Sequence, residues 1–377
     1  MDTHIDQLID LSTDIHVHPE LCFEETYAAH LTASFLRDSG FKVTEGIHDL
    51  PTAFVGEIGS GPLVVALCAE YDALPEVGHA CGHNIIAAAA LGAGTALTEI
   101  VDELGITLRI IGTPAEEGGG GKILLLERGG FAGVHAAMMI HPWPSDRLTA
   151  SCLAVCHFDV CFIGEEAHAS ASPWKARNAL DAMTIAQVAV GLARQQLDPG
   201  DQVHGVILEG GMAANVIPGS TTARYMCRSK TLQGLKTLYP KIKKCFEAGA
   251  LAANVDVTFK QLCPDYSHME SNVDLLNLYR LNAEALGRRF TLDDDGVDPP
   301  TLSTDMANVS LAIPSIHPLI GIEAHGASNH QIAFADACVG PCANRAIYDG
   351  ALAMAWTIID TALDPNLRER LLSNDPL

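Results

Sequence analysis

Apolar residues recur at helical spacing over 26–38, where Tyr27, Ala28, Leu31, Phe35 and Leu36 share one side and Gly40 ends the run. Phe41 to Thr44 then reads as a strand. Pro62 to Cys68 is apolar without a break, the pattern of a strand covered on both faces. Asn84 opens a helix. Its Ala- and Gly-rich stretch from Ile85 to Leu97 is buried by composition and shorter than the roughly 20 residues of a membrane span. A strand is predicted over Thr107 to Ile111, a short helix over Lys122 to Glu127, and a strand over Ala136 to Ile140 ending at His141. Strands alternating with helices predict an α/β core with a mostly parallel sheet and helices on both faces.

The pattern changes near residue 150. Leu153 to Phe162 reads as a strand and Ala179 to Gln195 as a long helix. Gly205 to Glu209 and Thr221 to Met226 read as strands, Leu235 to Ala252 as a helix, and Val255 to Gln261 as a strand. This β-α-β-β-α-β order predicts a ferredoxin-like α+β domain inserted at 153–265. Residues 1–152 and 266–377 then make up the first domain. Its second part carries a helix at 272–286, a strand near Pro314 to Gly321 and a closing helix at 341–363. The polar end Ser373 to Leu377 reads as a tail.

A length of 377 residues, 48% of them hydrophobic, supports two cores rather than one. The net charge of 23 − 46 = −23 argues against nucleic acid or an anionic membrane as partner, since both require a basic face. The eleven cysteines are scattered, odd in number and mostly set among apolar residues, which suits reduced thiols in a cytoplasmic protein. The first residues lack the basic start and apolar stretch of a signal peptide.

Ligands of open α/β sheets collect at the carboxyl ends of the strands. Several metal-binding side chains fall there. Cys81 and His83 alternate on the turn His79-Ala80-Cys81-Gly82-His83-Asn84. Thiolate plus imidazole suits a borderline-soft divalent ion such as Zn²⁺, Co²⁺, Ni²⁺ or Mn²⁺. Glu116 and Glu117 follow 33 and 34 residues after His83, and His141 follows 24 residues after Glu117. Neighbouring side chains on an extended segment point opposite ways, so one glutamate can hold metal while the other faces substrate as a general base. His79 reads as a supporting residue. The run Gly118 to Gly121 with Lys122 lacks the Walker spacing, and two adjacent glutamates would repel phosphate. His317, His325 and His330 are three candidates for one further ligand, and composition does not choose among them.

The motifs carry a resemblance. His18-Pro19-Glu20, Asp72-Ala73-Leu74-Pro75, His79 to Asn84, Pro114 to Glu117, His141-Pro142, Gly164 to Ala169, Asn215 to Pro218 and Ser303 to Met306 occur in the order seen in the M20 metallopeptidases and amidohydrolases. The chain resembles the branch with a cysteine ligand, which includes N-acyl-amino-acid hydrolases, aminobenzoyl-glutamate hydrolases and dipeptidases. The resemblance implies two divalent metal ions per subunit, held by Cys81, His83, Glu117, His141 and a C-terminal histidine. His330, four residues before Phe334, fits that last position, with His325 as the alternative. Relatives commonly carry Asp where Asn84 stands. The resemblance further implies Glu116 as general base. The inserted domain is expected to serve as a dimerisation or lid domain. His168 is expected to reach the partner subunit's site and steady the oxyanion, with Asn215 and Arg228, or less well Arg224, near the substrate carboxylate. The expected activity is hydrolysis of an N-acyl amino acid or related small amide, or alternatively of a dipeptide, by a cytoplasmic homodimer.

Overall fold

The unbroken apolar run at 63–69 forms a strand deep inside a sheet. The structure is a computed structural model, and it describes residues 4–290 and 301–373. The polar end at 374–377 lies outside the described residues. By contacts the chain divides into two compact units, Met1–Ser151 with Met269–Leu377, and Cys152–His268.

Among the described residues of the first unit, six strands form one sheet. Their order is Lys42–Glu45, Phe54–Gly59, Ile106–Gly112, Leu63–Ala69, Ala136–Met138 and Ser315–Ile316. The first two pairings are antiparallel and the other three parallel. Successive side chains of a strand point to opposite faces. Leu63, Val65 and Leu67 therefore enter a core that includes Ile85, Leu91, Ile347 and Ile358. Ala66 and Cys68 enter a second core with Leu125, Phe131, Met306 and Val309. Both faces are thus covered, which explains the absence of polar alternation along this strand.

Helix His83–Leu97 lies in the first core, and fourteen of its fifteen residues are buried. Its small residues permit close approach; a Cβ on Gly94 would stand 2.8 Å from Ile110 Cδ1. Helix Pro341–Leu363 packs along it. The segment 314–321 is not one strand. Ser315–Ile316 pairs with Ala136–Met138, and Leu319–Gly321 pairs separately with His141–Trp143. Pro142 and Pro318 lack the N–H that a continuous ladder needs. Helix Ile5–Val17, strand Phe54–Gly59 and helix Pro365–Ser373 are among the elements that did not stand out in the sequence. Phe54–Gly59 contains two glycines and a glutamate and takes its form from neighbours on both sides.

In the second unit four strands run Gln202–Glu209, Ser220–Ser229, Ala154–Ile163, Asp256–Gln261, with every neighbouring pair antiparallel. Helices Ala179–Ala193 and Leu232–Ala253 pack on this sheet and on each other. The chain order is β-α-β-β-α-β, and the spatial order is that of a ferredoxin-like sandwich. Phe158, Phe162, Met183, Ile242 and Phe246 are at its core. Asn178 and Thr231 cap the two helices by accepting from Leu180 N and Gly234 N. All eleven cysteines are free. Among the described residues no helix is long and apolar enough to cross a membrane.

Candidate metal centre

Strand Leu63–Ala69 delivers the chain to the segment 70–82, and that segment ends on Gly82 at the start of helix His83–Leu97. Gly82 has φ +74, and a Cβ there would lie 2.8 Å from Pro142 Cγ. Only glycine allows both the left-handed turn and this approach. The turn places Cys81 and His83 beside His141, and one potential ligand atom from each lies within 4.8 Å of the other two. A second group with the same mutual reach holds Cys81, Glu117 and His330. Cys81 belongs to both groups, so its sulfur can lie between two ions. His325 belongs to neither, while His330 Nε2 stands 3.6 Å from Glu117 Oε1. The His330 N–H donates to Ala80 O at 3.0 Å, which ties this distant segment to the cysteine turn.

The ring nitrogens are already assigned by their partners. His83 Nδ1 faces Asp72 Oδ1 at 3.0 Å, and His141 Nδ1 faces Pro142 O at 2.8 Å. Each ring therefore directs Nδ1 to an acceptor and turns Nε2 toward the site, the arrangement of metal-bound histidine with an orienting acceptor behind it. Asp72 also accepts from Glu117 N at 2.9 Å, so one carboxylate aligns both ligand loops. Burial works against charge on Asp72, but His83 outweighs it and holds the carboxyl below its usual range.

The glutamate pair departs from expectation. Residues 116–119 form a turn rather than an extended segment, and both carboxylates reach within 4.8 Å of a His83 nitrogen. They do not point to opposite sides. Burial, followed by Glu117, Glu70 and Asp305, pushes the Glu116 carboxyl well above its usual range. Burial likewise raises Glu117 and, with Glu117 and Glu116 beside it, the Cys81 thiol. Burial, His317 and His83 hold His141 well below its usual value. Burial works against charge on His83, but Asp72, followed by Glu70 and Glu117, outweighs it and raises His83 well above its usual value. Glu116, Glu117, Cys81 and His141 are thus pushed toward their neutral forms, and a bound divalent ion inverts that preference.

The donors fit divalent metal ions. His83 Nε2 and Glu117 Oε1 are buried with no hydrogen-bond partner among the described residues, and each is a ligand atom facing the site. Buried polar atoms are rarely left without partners. His79 is buried 6.1 Å from His16, ring to ring, and belongs to neither ligand group. His317 is buried with its ring 5.4 Å from His141 and is likewise outside the groups.

The second unit holds the remaining candidates. His168 lies on the short strand Ala167–His168, paired with Val216–Ile217. Its Nδ1 accepts from Ser170 N and Ala171 N, at 3.3 and 3.2 Å, which leaves Nε2 as the outer nitrogen of an exposed ring. Ala169 N donates to Asn215 O at 2.9 Å, so His168 and Asn215 are neighbours. Arg228 sits on strand Ser220–Ser229, opposite Gln202 and Val155. Arg224, on the same strand, is engaged by Asp159 at 2.8 and 3.0 Å.

Sequence reasoning missed Lys122, Glu70 and Asp305, which are fully buried together behind His83. The sequence signals are a lysine after four glycines and an aspartate inside the Ser303 to Met306 motif.

Known proteins resemble this chain in sequence and fold. The model of Peptidase family M20/M25/M40 matches residues 66–345. The chain is 37% identical to the Xaa-Arg dipeptidase of Mus musculus over 98% of this chain and 89% of that protein. It is 32% identical to a p-aminobenzoyl-glutamate hydrolase subunit of Escherichia coli strain K12, over 68% of this chain and 58% of that one. A Bacillus subtilis protein described as a dinuclear metal binding peptidase of the M20 family has the same fold, with a TM-score of 0.71 at 21% identity over 96% and 99% of the two chains. The chain belongs to Peptidase family M20/M25/M40, and it is a hydrolase of C–N amide bonds.

Proposed function

We propose that this protein hydrolyses a small amide whose amine side is an amino acid, as in a dipeptide or an N-acyl amino acid, with two divalent ions and Glu116 as general base. The observation that carries the reading is the convergence of Cys81, His83, Glu117, His141 and His330 into two groups that share Cys81, with Glu116 beside them. The first group offers one sulfur and two nitrogens, the second one sulfur, one oxygen and one nitrogen. That chemistry suits Zn²⁺, Mn²⁺, Co²⁺ or Ni²⁺. The dipeptide is favoured by the Xaa-Arg dipeptidase, which aligns along almost the whole chain. The N-acyl amino acid is supported by the aminobenzoyl-glutamate hydrolase relative.

Bound ions of this kind polarise a carbonyl and acidify water. Glu116 takes the proton from the attacking water and delivers it to the leaving amine. His168, supplied by a second copy in a homodimer, steadies the developing oxyanion, and Asn215 beside it lies near the substrate carboxylate. A preorganised donor to the oxyanion is often the largest single catalytic contribution. Arg228 takes the substrate carboxylate by a two-pronged contact. The eleven free thiols support a cytoplasmic location.

Replacing Glu116 by Gln tests the reading. Turnover on a panel of dipeptides and N-acyl amino acids should fall by about 10²- to 10⁴-fold, while elemental analysis still finds two ions per chain. An active Glu116→Gln enzyme would show that the base lies elsewhere.

A further inference from the structure

The lysine that follows the glycine run and the aspartate of Ser303-Thr304-Asp305-Met306 take no part in the reaction above. They meet at full burial. The Lys122 ammonium donates to Glu70 Oε1 and, at 2.7 Å, to Asp305 Oδ1. The backbone N–H of Lys122 donates to Asp305 Oδ2 at 2.8 Å. Both aspartate oxygens are therefore fixed by one residue. An ammonium is buried only when carboxylates balance it. Burial works against this charge, but Asp305 and Glu70 outweigh it and raise the Lys122 pKa. Glu70, Glu116 and Asp305 each have a carboxylate oxygen within 4.8 Å of the others, and the ammonium is a built-in cation for this trio.

The clamp leaves Glu70 with one oxygen to spare. Glu70 Oε2 is buried, has no hydrogen-bond partner among the described residues, and lies 3.5 Å from His83 Nε2. His83 Nε2 also has no partner, because its ring proton is directed to Asp72. A lone pair thus faces a carboxylate oxygen. That pairing is repulsive unless a positive charge lies between them, either a second ring proton, which Asp72 and Glu70 favour, or a bound ion. The distance is long for a hydrogen bond. It is the span expected of two ligands on one ion, since bonds of about 2.1 Å at a tetrahedral angle put ligand atoms about 3.4 Å apart.

We propose that Lys122 and Asp305 form a buried clamp that aims Glu70 at the ion on His83, making Glu70 a further ligand of the metal centre. The inference rests on the metal-centre reading above. It gives the glycine run a purpose: the run brings a lysine backbone and side chain together against Asp305. Lys122 and Asp305 act as positioning residues through Glu70.

The test is a metal titration of the full chain. The protein is stripped with a chelator, and Co²⁺ uptake is followed by calorimetry and absorbance. The parent chain is expected to take up two ions. Glu70→Gln, close to isosteric, should weaken one of the two by about tenfold or more, with the far-ultraviolet circular dichroism of the stripped protein unchanged. Glu70→Asp keeps the charge but withdraws the oxygen by one methylene, and should weaken the same ion. Equal uptake by the parent chain and a folded Glu70→Gln variant overturns the proposal and leaves the metal centre standing. Failure of the parent chain to bind Co²⁺ overturns the metal-centre reading itself. Should both variants fail to fold, a crystal structure of the parent chain with Co²⁺ decides: a Glu70 oxygen about 2.2 Å from the ion supports the clamp, and one beyond hydrogen-bond distance overturns it.

Discussion

At the residue scale, Asn84 shows how one amide ties the ligand turn to the rest of its unit. Its Nδ2 donates to Ser12 Oγ and to Cys338 O, both at 2.9 Å, with all three residues buried. Ser12 belongs to helix Ile5–Val17, and Cys338 follows the short helix Ile332–Ala337 close after His330. The position needs a donor, which a carboxylate lacks. Asn84→Asp sets an acceptor against the Cys338 carbonyl and should cost about 1–3 kcal/mol, read as a lower unfolding midpoint in urea at neutral pH. An unchanged midpoint would mean that the turn does not rely on this amide. The same comparison explains what the sequence could convey at this scale. The grouping of Cys81, His83 and the glutamate pair was legible because candidate metal ligands are chemically distinctive and closely spaced. The contact of Lys122 with Glu70 spans 52 residues and that with Asp305 spans 183. Nothing local marks such pairs, and a buried lysine looks like any surface lysine until the chain folds.

At the element scale, the glycine run shapes the turn that carries Glu116 and Glu117. Helix Gly121–Glu127 begins directly after this turn. A Cβ on Gly121 would stand 1.8 Å from Pro114 O, a backbone atom two residues ahead of Glu116. Neither partner can yield without shifting the glutamates. Gly121→Ala should therefore cost about 1–3 kcal/mol of stability and also weaken metal uptake. Chemical denaturation and metal titration of the same sample check the two effects together; a loss of stability with uptake intact would place the strain outside the site. The extended segment expected at the glutamates failed for a related reason. Ala115 at φ +60 and Gly118 at φ +96 bend the chain sharply, and a left-handed alanine carries no sequence signal. The long periodic helices and the apolar strands were legible because burial imposes their pattern. Phe54–Gly59 was not, since its strand form comes from pairing rather than composition.

At the scale of the whole molecule, the switch from parallel α/β patterning to β-α-β-β-α-β order was visible in the sequence because each unit keeps a core of its own. Association was visible only as a family expectation, and the surface of the second unit now gives it a physical argument. Among the described residues Gln202–Glu209 is an edge strand, with only the neighbour Ser220–Ser229. Val206 is 57% exposed and Leu208 48%, and Met212 just beyond is 98% exposed. A long apolar edge strand is an aggregation hazard that folded proteins cover or charge. In the proposed homodimer a second copy of the chain, docked edge to edge, would cover it. Light scattering should then give twice the 40.0 kDa chain mass. Leu208→Asp, a change on an exposed side chain, should leave each chain folded within about 0.5 kcal/mol and release monomers. Those monomers should keep their metal ions, because the candidate ligands all lie in the other unit. They should nevertheless lose turnover, because His168 is proposed to act on the neighbouring copy. Full activity in a species of 40.0 kDa would remove the partner from the mechanism and require each chain to stabilise its own oxyanion.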